Sequence, residues 1–237
     1  MTSIRTPRTT SSTLAPWHSE LPAAHLAGSL YVVPTADRST ASRAVHDAGH
    51  GIHLDIIIEA DGRHVGITVD EVRDVRRDLP DAVIDLHLIL LGEHERSAAE
   101  RARLTADGIE LAREVRATCL TLPRIALMHG FEDITASHDT ELSIWQQLSP
   151  DEPADLLPSA TGALLMLITP GTTAQADPSR LALVPTLTAL GFPVGVDGGV
   201  DRALAQRAHE LGATRIVSGR ALLRTEPPLE DEPPDHP

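Results

Sequence analysis

The strongest constraint on the fold of this 237-residue chain is a repeated switch between short apolar runs and amphipathic segments. The runs are continuous in Leu, Ile and Val, which is typical of parallel strands covered by helices. Candidate strands are residues 30–33, 52–58, 84–90, 125–128, 163–168, 194–197 and 215–218. Candidate helices are residues 40–48, 70–79, 95–106, 140–147, 178–190 and 202–211. This alternation predicts an α/β fold of about eight strands, as a barrel or a doubly wound sheet.

The two ends of the chain lack this alternation. Residues 1–26 are rich in Thr, Ser, Pro and Ala, which favours a flexible lead with a short docking turn near Trp17. Residues 225–237 combine prolines with acidic residues, which is typical of a solvated, disordered tail, with partner docking as the alternative. We therefore expect one barrel-sized domain over residues 27–224.

The composition excludes several kinds of chemistry. All 20 basic residues are arginines, so the chain has no lysine for a Schiff base or a P-loop. The formal charge of −14 disfavours binding to nucleic acid or to an anionic membrane. The single cysteine, Cys119, excludes an intrachain disulfide and indicates a reducing compartment. No apolar run reaches the roughly 18 residues that span a bilayer, and no secretory signal is recognisable, so we expect a cytoplasmic protein.

Polar side chains interrupt three of the predicted strands. His53 and Asp55 share one face of their strand, and Asp85 and His87 share one face of the next, because strand side chains alternate. Asp197 ends a later strand, and in a barrel such strand ends meet at the active site. Two imidazoles with two carboxylates suit Zn²⁺, Fe²⁺ or Mn²⁺. The alternative is that each histidine is a core residue bonded to a backbone carbonyl.

Glycine-rich turns follow the last two predicted strands, at Gly198-Gly199 and at Gly219-Arg220. Phosphate often binds at this position in barrels, since glycines let backbone amides approach an anion and arginine adds a bidentate contact. The alternative is an ordinary turn shaped by glycine. Residues 169–175 follow another strand and suit either a mobile flap over a ligand or a plain loop.

At these residues the sequence resembles the ribulose-phosphate 3-epimerase family of (β/α)₈ TIM barrels, which bind ribulose phosphates. The resemblance spans residues 28–224 and depends on the order and spacing of several segments. They are His53-Leu54-Asp55, Asp85-Leu86-His87-Leu88, Leu165-Met166-Leu167-Ile168-Thr169-Pro170-Gly171 with Gln175, Val196-Asp197-Gly198-Gly199-Val200 and Val217-Ser218-Gly219-Arg220-Ala221.

The resemblance implies that His53, Asp55, His87 and Asp197 bind one divalent metal ion, with Zn, Fe, Mn or Co as candidates. It implies that Asp55 and Asp197 form the acid/base pair that inverts C3 of a ketose phosphate through an enediolate. The implied contacts to substrate and phosphate come from Ser29, which aligns with a one-residue gap, and from His87, Gly171, Gly198, Gly199, Gly219 and Arg220.

Several positions depart from the family pattern. Methionines that line the family's metal pocket are replaced by Ile57 and Ile89, while Met166 is kept. The flap sequence differs, Arg220 stands where a serine is usual, and the fourth and fifth strands have no clear match. The metal and acid/base set is therefore intact, whereas the surfaces that shape the substrate have changed.

The leading hypothesis is a metal-dependent 3-epimerase of ribulose 5-phosphate and xylulose 5-phosphate. One alternative is an epimerase of another phosphosugar, such as allulose 6-phosphate. A second is a non-catalytic phosphosugar-binding protein on the same barrel. The expected partner is a small phosphosugar, and the resemblance also allows a homo-oligomer.

Overall fold

The computed structural model describes residues 12–128, 142–172 and 174–225. The strands are β1 (Ser12–Leu14), β2 (Leu26–Ser29), β3 (Gly51–Ile58), β4 (Ile84–Leu90), β5 (Cys119–Leu122), β6 (Ser143–Leu148), β7 (Gly162–Met166), β8 (Val194–Asp197), β9 (Arg215–Ser218) and β10 (Leu223–Thr225). The helices are α1 (Arg38–Asp47), α2 (Val69–Asp78), α3 (Ala98–Glu114), α4 (Arg124–Met128), α5 (Leu183–Ala189) and α6 (Arg202–Glu210).

Strands β2 to β9 close into a parallel barrel in chain order, which confirms the predicted (β/α)₈ fold and its count of eight strands. All neighbours in the barrel are parallel, so the carboxyl ends of the strands form one rim. The register places Asp55 beside His87, on adjacent strands. Among the described residues, no helix has the length and apolar character needed to cross a membrane.

The barrel interior is packed around Trp145 on β6. The indole is buried with a small set of inward-facing side chains, which are Ala27, Cys119, Leu164, Met166 and Val217. Gly162 and Gly195 make room for the indole, because a Cβ at either position would lie less than 3 Å from its atoms. Large and small residues thus alternate around the barrel, as in other densely packed interiors.

A buried ion pair lies inside the barrel at the level below His87. Asp85 on β4 accepts a hydrogen bond from the Arg215 guanidinium on β9, and that guanidinium lies 5.6 Å from the centre of the Trp145 ring. Asp85 lies on the same face of β4 as His87, as the strand pattern predicts, but two residues further from the carboxyl-terminal rim. Its charge is therefore neutralised by arginine and not by the histidines above it.

Three predicted elements differ from the structure. Residues 30–33, predicted as the first strand, begin with a 3₁₀ turn (Leu30–Val32), and β2 precedes it with the small residues that the interior accommodates. Residues 125–128, predicted as a strand, belong to helix α4, since Pro123 has no amide hydrogen for a sheet ladder and ends β5.

The predicted helix over residues 140–147 is wrong where the structure describes it, because strand β6 occupies Ser143–Leu148. Its two glutamines concealed the strand pattern. Gln146 faces outward and is bonded to Asp155 and Leu157, whereas Gln147 faces into the barrel. Both side chains are buried, and burial of these polar groups is tolerated because each has hydrogen-bond partners.

The lead expected over residues 1–26 is ordered from residue 12 onwards, and the docking turn expected near Trp17 is present as a 3₁₀ turn over Pro16–Glu20. Strand β1 pairs antiparallel with β10, and Trp17 is buried in a hydrophobic cluster that also contains residues of β7, β8, β9 and α6. The Trp17 indole N–H donates to the Ala221 carbonyl, and the Ala15 amide donates to the Leu222 carbonyl. We call residues 12–25 the N-terminal strap. Residues 1–11 and 226–237 lie outside the described residues.

Removing one partner of the interior ion pair should destabilise the fold. Arg215→Met leaves the Asp85 carboxylate buried without a cation, and we expect the free energy of unfolding to fall by about 3–5 kcal/mol. The double variant Asp85→Leu/Arg215→Met should recover most of that loss, because it removes both charges. Urea unfolding of both variants measures the difference, and a double variant no more stable than the single one would contradict this account.

Candidate functional site

Four ligand-type side chains meet inside the carboxyl-terminal rim of the barrel. His53 and Asp55 come from β3, His87 from β4 and Asp197 from the last position of β8. One ligand atom of each lies within 4.8 Å of those of the others. We call these four residues the His/Asp ring. They are the four residues that the family resemblance implies as the metal-binding set.

One oxygen of each carboxylate faces both imidazoles of the ring. Asp55 Oδ1 lies 3.2 Å from His53 Nε2 and 3.2 Å from His87 Nδ1. Asp197 Oδ2 lies 3.9 Å from each of the same two nitrogens. The two imidazoles and two carboxylates therefore face one small volume at the end of the barrel.

The other oxygen of each carboxylate is held by the protein. The Ser29 hydroxyl donates to Asp55 Oδ2 at 2.8 Å, and the Gly198 amide donates to Asp197 Oδ1 at 2.6 Å. Gly198 has φ of +100°, and a Cβ there would lie 2.8 Å from the Ile168 side chain, so this turn requires glycine. Both carboxylates are thereby fixed with their free oxygen towards the histidines.

Burial opposes the charged forms of His53, Asp55 and Asp197, and the neighbouring charges then oppose or reinforce it. For His53, the Asp55 carboxylate outweighs burial and raises the pKa of the imidazole. For Asp55, the His53 and His87 imidazoles outweigh burial and hold the pKa of the carboxyl far below its usual range. For Asp197, burial together with the Asp55 charge raises the pKa of the carboxyl. Positive charge between the two carboxylates is therefore favoured.

The donor set fits a divalent transition metal. Two imidazole nitrogens and two carboxylate oxygens match the ligands and number that Zn²⁺ takes, and they also suit Fe²⁺, Mn²⁺ or Co²⁺. The described residues place no arginine against either carboxylate of the ring. A cation at this point would neutralise two carboxylates whose only potentially positive partners among the described residues are imidazoles.

A cleft of about 200 Å³ opens above the ring. Its wall includes Asp55, Asp197 and the apolar side chains of Ile57, Ile89 and Met166. The other residues expected to contact substrate or phosphate also line it, except for His87, which is buried in the ring beneath. They are Ser29, Gly171, Gly198, Gly199, Gly219 and Arg220.

One side of the cleft is suited to an anion. The turns after β8 and β9 lie together there, because the Ser218 hydroxyl donates to the Val200 carbonyl at 2.7 Å. Among the hydrogen bonds of the described residues, none uses the backbone amides of Gly199, Gly219 or Arg220. The Arg220 side chain is exposed at the rim and pairs with no carboxylate in the described part of the chain.

The loop after β7 forms another part of the wall. Pro170, Gly171, Thr172 and Ala174 line the cleft, and the Thr172 hydroxyl donates to the Thr169 carbonyl at 2.7 Å. Thr173 lies outside the described residues, and Gln175 is exposed. The loop thus lines the cleft, at the position where the sequence allowed either a flap or a plain loop.

Gln147 is a residue of the site that the sequence did not reveal. Its Oε1 lies 2.8 Å from His87 Nε2, on the side of the imidazole away from the carboxylates. The prediction of a helix over residues 140–147 concealed it, because only a strand turns Gln147 into the barrel on the same side as Trp145. The available signal was the alternation of Trp145 and Gln147 with Ile144 and Gln146.

No protein-family profile and no curated protein matches the chain. Solved structures do share its fold. The tryptophan synthase A-subunit from Pyrococcus furiosus has a TM-score of 0.60 at 16% identity, over 84% of this chain and 88% of that one. KGPDC from Streptococcus mutans, in complex with D-R5P, has a TM-score of 0.59 at 15% identity, over 84% and 89%.

Phosphoribosyl anthranilate isomerase from Thermus thermophilus has a TM-score of 0.54 at 15% identity, over 83% of this chain and 88% of that chain. At such identities these similarities establish the barrel fold alone. The function of this chain must therefore be argued from its own site.

Adding a divalent metal should stabilise the folded protein if the His/Asp ring binds it. At a free metal concentration about 100 times the dissociation constant, linkage gives about 2.7 kcal/mol, which raises the thermal unfolding midpoint by several degrees. We expect this rise with Zn²⁺ or Co²⁺ after chelation and dialysis, and no rise in His53→Ala/His87→Ala. His94→Ala, which alters an exposed histidine, is the matched control. A rise that persists in the double variant would place the metal elsewhere.

Proposed function

We propose that the protein is a metal-dependent epimerase that inverts C3 of a ketose phosphate, most simply between ribulose 5-phosphate and xylulose 5-phosphate. The observation that carries the proposal is the His/Asp ring at the floor of a cleft whose rim offers unbonded amides and Arg220. Two of its members, Asp55 and Asp197, line the cleft itself, on strands separated by β9 and β2.

His53, Asp55, His87 and Asp197 would hold the metal ion. Such an ion supplies positive charge that stabilises the oxygens of an enediolate and makes the proton on the neighbouring carbon more acidic. The chain has no lysine that could supply a cation or a Schiff base instead. Ser29 and Gly198 support this role, since each holds the outer oxygen of one carboxylate.

Asp55 and Asp197 serve as the acid/base pair in this proposal. One carboxylate removes the C3 proton from one face of the substrate, and the other carboxylic acid delivers a proton to the opposite face. The C–H bond broken on one side is replaced by a C–H bond on the other, so C3 is inverted without any change in oxidation state. The two carboxylates come from β3 and β8, which lie three positions apart around the barrel.

The turns at Gly198-Gly199 and Gly219-Arg220 would bind the substrate phosphate. The unbonded amides of Gly199, Gly219 and Arg220 and the Arg220 guanidinium offer donors to a dianion, on the opposite side of the cleft wall from the buried histidines. Anchoring the phosphate there holds the reacting carbon above Asp55 and Asp197. Gly171 and its loop cover the same cleft. One structural neighbour is named for a phosphoribosyl compound, which is consistent with a phosphosugar.

Ile57 and Ile89 give the cleft wall above the ring an aliphatic surface. The family that the sequence resembles has methionines at these two positions. The replacement by isoleucine favours a second candidate with the same reaction chemistry, the epimerisation of another phosphosugar such as allulose 6-phosphate. A non-catalytic phosphosugar-binding protein is the candidate from a different class. Substrate-dependent proton exchange distinguishes all three.

The test is exchange of the C3 proton in D₂O, followed by NMR, with a panel of ketose phosphates. We expect exchange and epimerisation with the wild-type protein. Asp55→Asn and Asp197→Asn should each slow both by at least about 10²–10⁴-fold, because each removes one acid/base group. Asp61→Asn alters an exposed carboxylate after β3 and should remain near wild type. Near-normal epimerisation in either ring variant would exclude the two-carboxylate mechanism, and binding without exchange by the wild type would favour the non-catalytic alternative.

Arg220 provides a separate test of the phosphate site. Arg220→Met should raise KM for the phosphorylated substrate by about ten- to a hundredfold, as expected for the loss of a charged hydrogen bond. The variant should leave weak binding of the unphosphorylated ketose unchanged. Arg202→Met removes another exposed arginine, which pairs with Glu20, and controls for surface charge. An equal effect of both substitutions would show that Arg220 acts only through the net charge.

A further inference from the structure

Two adjacent glutamines on β6 are buried but serve different parts of the molecule. Gln146 faces outward, donates to the Asp155 carbonyl at 3.1 Å and accepts from the Leu157 amide at 2.8 Å. Gln147 faces the barrel interior and contacts His87 of the His/Asp ring. Both side chains are at most 5% exposed. They form a natural pair for comparison, since they share residue type, strand and burial.

The hydrogen bonds of Gln147 define how His87 carries its proton. The amide nitrogen of Gln147 donates to the Ser149 hydroxyl at 2.8 Å, which leaves the amide oxygen facing His87. An amide oxygen only accepts, so His87 Nε2 must be the protonated nitrogen of that contact. The opposite nitrogen, Nδ1, then faces the free oxygens of the two carboxylates, where its lone pair would be available to a metal ion bound between them.

We propose that Gln147, supported by Ser149, is a positioning residue that holds His87 in the tautomer and ring orientation required to bind a divalent metal ion. This inference depends on the metal site of the proposed function. A ligand histidine commonly donates its second N–H to a fixed acceptor, which sets the lone pair that faces the metal and increases its basicity. The interior face of a barrel strand holds such an acceptor more rigidly than a loop does.

His53 provides the contrast within the ring. Its Nδ1 is buried and has no hydrogen-bond partner among the described residues. Its orientation therefore depends on packing and on the contact of Nε2 with Asp55. His87, by contrast, has Gln147 against the nitrogen that faces away from the carboxylates. Of the two histidines of the ring, His87 is therefore the one on which a residue outside the ring acts through a hydrogen bond, among the described residues.

The experiment compares metal affinity in three variants by titrating the apoprotein with Co²⁺ and Zn²⁺ against a competing chelator. Gln147→Leu removes the acceptor and should raise the dissociation constant by about 10–100-fold, the usual effect of losing such a partner. Gln147→Glu retains an acceptor for the Nε2 proton and should restore affinity to within about threefold of wild type. Gln146→Leu should weaken the fold while leaving the dissociation constant unchanged, because its contacts lie outside the barrel.

The absorption spectrum of bound Co²⁺ supplies a second readout that a loss of stability alone would not move. We expect its ligand-field bands to change in Gln147→Leu and to match wild type in Gln146→Leu and Gln147→Glu. Wild-type affinity and spectrum in Gln147→Leu would overturn the inference. So would equal losses of affinity in the two leucine variants.

The outcome is separable from the fate of the proposed function. A wild-type protein that binds metal but exchanges no C3 proton would overturn the epimerase proposal, while the ratio of dissociation constants would still decide the role of Gln147. Exchange by the wild type with no effect of Gln147→Leu on affinity or spectrum would overturn the inference alone. A wild-type protein that binds neither metal would overturn both.

Discussion

Charge buried inside the barrel is the constraint on which the rest of the structure depends. The interior is lined mainly by aliphatic side chains and Trp145, so any carboxylate there needs a positive partner. Asp85, the deepest of these carboxylates, has Arg215. Asp55 and Asp197, nearer the rim, have only the two imidazoles among the described residues. The negative charge of Asp85 is therefore neutralised within the protein. The negative charges of Asp55 and Asp197 depend on protonated imidazoles or on an added cation.

The two layers therefore have different roles along the barrel axis. The Asp85–Arg215 pair contributes to stability, and the His/Asp ring above it contains the residues of the proposed reaction. Arg215 is engaged by Asp85 and Trp145, so it supports the fold without occupying the ring. Ser29 and Gly198 each hold one carboxylate of the ring, which keeps both carboxylates oriented without neutralising them. Arg220 lies at the rim, where it can meet an anion. In this lysine-free chain, Arg215 thus lies below the two carboxylates of the ring and Arg220 lies at the rim of the cleft, and no arginine of the described residues pairs with the ring itself.

The sequence could predict the barrel and the placement of the ring because these features follow from long apolar runs. Strands β3, β4 and β8 are marked by continuous apolar residues, and their alternation fixes which polar side chains face inward. The local sequence pattern did not predict the elements whose structure depends on contacts with distant parts of the chain. Strand β6 is concealed by two glutamines whose burial depends on distant partners, so Gln147 could not be connected with His87 before the strands were assembled.

The N-terminal strap shows the same limit and links the periphery to the site. Its composition resembles that of a flexible lead, yet Trp17 is buried because its indole finds both an apolar surface and a carbonyl acceptor. That acceptor, Ala221, and the next residue, Leu222, follow directly after Gly219 and Arg220. The strap therefore holds the Gly219-Arg220 turn in place from the outer side of the barrel, and this turn presents hydrogen-bond donors to the cleft. The segment with the least sequence pattern fixes a loop on which the proposed phosphate site depends.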